Sequence, residues 1–175
     1  MDRVGDKRER STEQALDEDS KRLQSAAAAA AAATEELDRY MSKVKRETLS
    51  VETMIDLIGK KGADPNHQCG YDRFTPLMEL SSMGAGQVDA RLHDEIMKGF
   101  IFLLQIPNID VNLTDRYGNV LIQRVVYMED PAFLTLLLQK EASREHINNL
   151  GVWGLSALHI ACSSTLVSIQ SIQLL

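Results

Sequence analysis

One feature limits the folds open to this chain more than any other. An apolar helix end, a turn and a fresh helix start recur in register. "LIGKKGADPN" (57–66) has a counterpart in "LLQIPNIDVN" (103–112), and a degraded third copy is "LLLQKEASREHIN" (136–148). New helix starts follow at "YDRFTPLMEL" (71–80), "DRYGNVLIQRV" (115–125) and "GVWGLSALHIA" (151–161). From Thr75 to Val120 to Ser156 the spacing is 45 and then 36 residues. A unit of turn, helix, helix with a period in the thirties is the mark of a repeat array, in which stacked neighbours bury what one unit cannot bury alone.

The local signals are those of helices. In "TEELDRYMSKVKRE" Thr34 is placed to cap, and Leu37, Tyr40, Met41 and Val44 form an apolar stripe at helical spacing. Ser50 is placed to cap "VETMIDLIGKK", with Met54, Ile55, Leu57 and Ile58 inward and Gly62 ending the helix in a left-handed conformation. Apolar residues make up 44% of the chain and aromatics 5%, which suits helices with aliphatic cores better than a β-sandwich.

These copies resemble ankyrin repeats, whose first helix carries Thr-Pro-Leu-His-x-Ala and whose second ends in Gly-Ala-Asp-x-Asn. Gly62 to Asn66 match the latter in full. "TPLMEL" keeps Thr75, Pro76 and Leu77. "VLIQRV" keeps the apolar logic alone. "SALHIA" keeps Ser156, Leu158, His159 and Ala161. The resemblance implies an all-α ankyrin-repeat solenoid of about four helix-turn-helix repeats, at 34–66, 67–112, 113–148 and 149–175. The motif His ties adjacent repeats in that family, so its loss in two of three copies implies modest stability. Residues 1–33 are read as a charged, disordered or loosely helical extension with eight alanines at 26–33. The longer first interval implies an insertion at 81–93, made flexible by Gly84 and Gly86. "TLVSIQSIQLL" (165–175) leaves apolar residues on the last helix pair, as expected of a fragment, or of an end that associates with a partner.

Catalytic and metal patterns are weak. His67 and Cys69 lie close together, but no CxxC or HxxxH spacing accompanies them. They read as turn residues, with no metal and no cofactor expected. His159 and Cys162 share a helix face, yet His159 has a structural place in the motif. Phosphate loops of the GxxxxGK[ST] or GxGxxG type are absent from the sequence. The net charge of −6 disfavours nucleic acid and anionic membrane. No apolar run nears the roughly 20 residues that span a bilayer. Two cysteines without a disulfide framework suggest an intracellular chain.

Recognition of another protein is the function this reading favours, by a monomer without catalysis. Finger-like turns at 67–74, 113–119 and 149–155 carry Tyr71, Phe74, Tyr117 and Trp153. Aromatics on exposed turns suit interface anchors. By resemblance, the concave side adds Glu79, Arg124 and Tyr127. The family's asparaginyl hydroxylation pattern, Asp two before and an aliphatic eight before, makes Asn66 and Asn112 candidate modification sites. The alternatives are a recruiting segment of a larger enzyme or effector, and a small enzyme using Cys162 or Cys69.

Overall fold

The computed structural model describes residues 3–85, 88–128, 130–140, 144, 146–163 and 169–175, with side chains described from Leu16 onward except that of Ile169. Among these residues the fold is helical, and a lone Cys69–Phe74 bridge is the one extended pairing. α1 (Arg3–Met41) is followed by α2 (Val51–Met54), which widens into a π-helical turn at Ile55–Lys60. Then come α3 (Pro76–Gly84), α4 (Ala90–Leu104), α5 (Leu121–Val125) with a 3-10 turn at Val126–Met128, and α6 (Pro131–Leu138). A 3-10 turn at Val152–Gly154 precedes α7 (Ala157–Ser163) and α8 (Ile169–Leu174).

The helices pack as stacked hairpins. α3 pairs with α4, α5 with α6 and α7 with α8, while the end of α1 packs on the π turn after α2. One row is made by α3, α5 and α7; the other by α2, α4, α6 and α8. The core between the rows is mainly aliphatic. At its centre Phe100 and Phe133 meet edge to face at 5.1 Å.

Several local expectations hold. Thr75 caps α3 by accepting the Met78 N–H, and Pro76 sits in the first turn. Gly62 is left-handed at φ 76°, and the Ala63 N–H reaches back to the Leu57 carbonyl, one residue further than in a Schellman motif because the helix ends in a π turn. Leu37 and Met41 are buried, with Tyr40 and Val44 packed beside them.

Others are corrected. α1 is one helix through 33/34, so Thr34 is no cap. Its hydroxyl donates to the Ala30 carbonyl (2.8 Å) and accepts the Asp64 N–H (2.9 Å), joining α1 to the turn after Gly62. Ser50 does not cap α2 with its side chain; Glu95 accepts the Val51 N–H instead. Ile55 faces outward. The expected flexible insertion is mostly helix: α3 runs through Gly84, and Asp89 caps α4. Gly84 is buried, and a Cβ there would lie 2.3 Å from Met128 Cε. It is a packing glycine rather than a hinge. Gly86 and residues 164–168 lie outside the described residues.

Candidate functional site

The site begins with three turns cut to one pattern. Arg73, Gly118 and Gly154 each stand two residues before a helix cap, and all three have positive φ, at 56°, 80° and 70°. This left-handed step reverses the chain and lifts the preceding residues off the helices. Glycine takes it freely, whereas Arg73 adopts it at a cost of about 1 kcal/mol. Trp153, one residue earlier, is also left-handed at φ 58°.

The turns are clipped together side by side. Between the first two, the Arg116 N–H donates to the Asp72 carbonyl (2.9 Å), and the Gln68 amide donates to the Thr114 carbonyl (2.7 Å). The Tyr117 hydroxyl donates to Asp72 Oδ1 (3.1 Å), and the Arg116 guanidinium lies 3.5 Å from the centre of the Tyr71 ring. Between the second and third, the Val152 N–H donates to Asn119 Oδ1 (3.0 Å).

Gln123 completes that second joint. It occupies the register position of the motif His and is 1% exposed. Its Oε1 accepts the Val120 N–H (2.9 Å), and its Nε2 donates to the Asn149 (3.0 Å) and Leu155 (2.6 Å) carbonyls of the next turn. A residue that the motif reading counts as a loss therefore makes the tie between units. His159, which matches the motif, accepts the Ser156 N–H within its own unit (3.2 Å).

Gly151 is where this joint has no room. A Cβ there would lie 2.3 Å from Asn119 Oδ1 and 2.8 Å from Gln123 Nε2. Gly151→Ala is expected to destabilise the chain by about 1–3 kcal/mol, read as a drop in Tm by circular dichroism. An unchanged Tm would show that the joint yields freely.

Asp115 anchors the second turn from beneath, and neither motif nor periodicity singles it out. Its side chain is fully buried. Oδ1 accepts the Tyr117 and Asn119 N–H groups (2.8 Å each), and Oδ2 accepts from Asn119 Nδ2 and from both Nε and a terminal nitrogen of Arg124. Burial pushes this carboxyl up, but the Arg124 and Asn119 hydrogen bonds outweigh it and hold it below the usual Asp range. The signal in the sequence is the Asp-x-Tyr-Gly-Asn run, an Asx-turn pattern.

The nine candidate residues separate by environment. Tyr71 (75% exposed), Tyr117 (50%), Tyr127 (50%) and Trp153 (88%) present their rings to solvent. Tyr127 lies beyond α5 in the 3-10 turn, not on a turn of the ladder. Phe74, expected to be raised on its turn, and Arg124, expected to line the concave side, lie against each other. Phe74 is half-buried against the core, and the Arg124 guanidinium sits 3.7 Å from its ring centre while bound to Asp115. They form a structural stack. Asn66 is committed as well: its amide donates to the Asn108 carbonyl and accepts the Asp110 N–H, at 2.8 Å each. Asn112 closes an Asx turn on Asp110 (2.8 Å).

Glu79 lines a cleft of about 260 Å³ between the end of α1 and the first turn, together with Cys69, Gly70, Tyr71 and Phe74. Burial raises its carboxyl; Arg124 opposes this and Asp72 adds to it. At the cleft's edge Asp38 of α1 meets His67 and Cys69. One ligand atom from each lies within 4.8 Å of the others, and they form the one such group of three among the described residues. His93 contacts Asp130 (2.7 Å).

The chain was compared with family models, curated proteins and solved structures and matches none of them. No helix among the described residues is long and apolar enough to cross a membrane.

Proposed function

We propose that this chain is an ankyrin-type repeat array that binds another protein through its turn ladder and does no catalysis. The observation that carries the reading is the row of exposed aromatic rings at Tyr71, Tyr117 and Trp153, on consecutive turns. Large rings held out in water have no part in the core, and such side chains anchor interfaces at low entropic cost. The clips between turns hold two of them still before any partner arrives, which lessens the ordering cost of association. Register supports the family: the left-handed step falls two residues before the helix start in three units, and in the second Gln123 takes the place of the motif His. A thiol nucleophile fits poorly at Cys69, because burial, aided by Asp38 and Glu79, pushes it up to about 12.

The test uses a photo-crosslinking residue in place of Trp153 to capture the partner from cell extract. Its affinity for the unmodified chain is then measured. Tyr117→Ala and Trp153→Ala are each expected to weaken binding by about 1–3 kcal/mol, and Trp153→Ala to do so without lowering Tm. Undiminished affinity in both variants would sink the ladder as the binding surface.

A further inference from the structure

We propose that Asp38, His67 and Cys69 form a binding site for a divalent cation of the zinc class. The three residues bring a carboxylate, an imidazole and a thiol to one point from two elements, the last turn of α1 and the first turn of the ladder. That mixed donor set suits zinc or cobalt; magnesium and calcium would want oxygens alone. His67 Nε2 already lies 3.8 Å from an Asp38 oxygen. Ligand atoms around tetrahedral zinc sit roughly 3–4 Å apart, so modest side-chain rotation closes the remaining gaps. Three protein ligands leave a fourth position for water.

The surroundings favour a cation. The Gly70 N–H donates to Asp38 Oδ1 (3.2 Å) and fixes that carboxylate, as outer contacts orient metal ligands. Glu79 adds a second carboxyl in the cleft that Cys69 also lines. His67 and Asp38 are partly open to solvent, which gives an ion its path in, while Cys69 is buried behind them. Coordination forms the metal–sulfur bond and releases the thiol proton to water, with no change of oxidation state. Bound metal would clamp α1 to the turn that carries Tyr71. The site stands apart from partner recognition and is tested without a partner.

The experiment titrates the full, reduced, metal-free chain with cobalt and follows the near-ultraviolet thiolate-to-cobalt absorption. The band is expected to appear, to vanish when zinc is added, and to survive Cys162→Ser. Zinc at a hundredfold excess over its Kd should raise Tm by at least about 5 °C. Cys69→Ser should abolish the band. Because Cys69 is buried, the partly exposed ligands provide an independent check: His67→Gln and Asp38→Asn should each weaken cobalt binding by at least about tenfold. Absence of the band at millimolar cobalt, its loss in Cys162→Ser, or full affinity in both His67→Gln and Asp38→Asn would each overturn the site.

Discussion

Replacing Asp115 by Ala should cost about 3–5 kcal/mol, a large share of the 5–15 kcal/mol that holds a typical domain together. The substitution strands several donors at once. The Tyr117 and Asn119 N–H groups lose their acceptor, and the Arg124 guanidinium is left largely buried against Phe74 without its counter-ion. Urea unfolding at neutral pH reads the loss as a lower midpoint. Asp115→Asn keeps an acceptor oxygen and should cost less. A loss below about 1 kcal/mol for Asp115→Ala would mean that water replaces the carboxylate easily. Acid supplies a second measurement. The folded carboxyl lies below its unfolded value, so its contribution is fully present above the unfolded value near 3.9 and is lost as pH falls through the folded one. Wild type should therefore lose stability more steeply than Asp115→Asn below about pH 4.

Gln123→Leu should cost about 2–4 kcal/mol although it replaces one buried side chain by another of similar volume. Two backbone groups lose their partner, the Val120 N–H and the Asn149 carbonyl, while the Leu155 carbonyl loses one of two and retains the Gly151 N–H. Each unmade bond of this kind costs about 1–3 kcal/mol where water cannot reach it, and partial access to the carbonyls lowers the sum. Gln123→His is the discriminating variant. An imidazole there can accept from the Val120 N–H and donate to the next turn, so thermal unfolding should return most of the lost stability. If Leu and His at 123 melt together, the tie between units contributes little, and the equivalence of Gln123 to the motif His fails.

These two residues show where sequence reading ran short. Gln123 looked like a gap in a motif, because its worth depends on two carbonyls 26 and 32 residues downstream. Asp115 looked like one acid among many, because nothing local announces that Arg124 will cover it. Phe74 was expected to stand out from the turn, yet the same arginine folds over its ring. The extra length of the first interval was legible, but not its form. Helix caps at Asp89 and packing at Gly84 absorb it into α3 and α4, where a glycine count suggested a loop.

The chain by itself determined whatever is settled within a turn or two of helix: the cap at Thr75, the left-handed stop at Gly62, the inward stripe of Leu37 and Met41, and the helical class. Such features depend on a few bonded neighbours and survive in any context. Tertiary structure alone decided the convergence of Asp38 with His67 and Cys69, the ties through Gln123, and which aromatic rings stay in water. Each of these joins groups some 26 to 45 residues apart, and their proximity exists only after the hairpins have stacked.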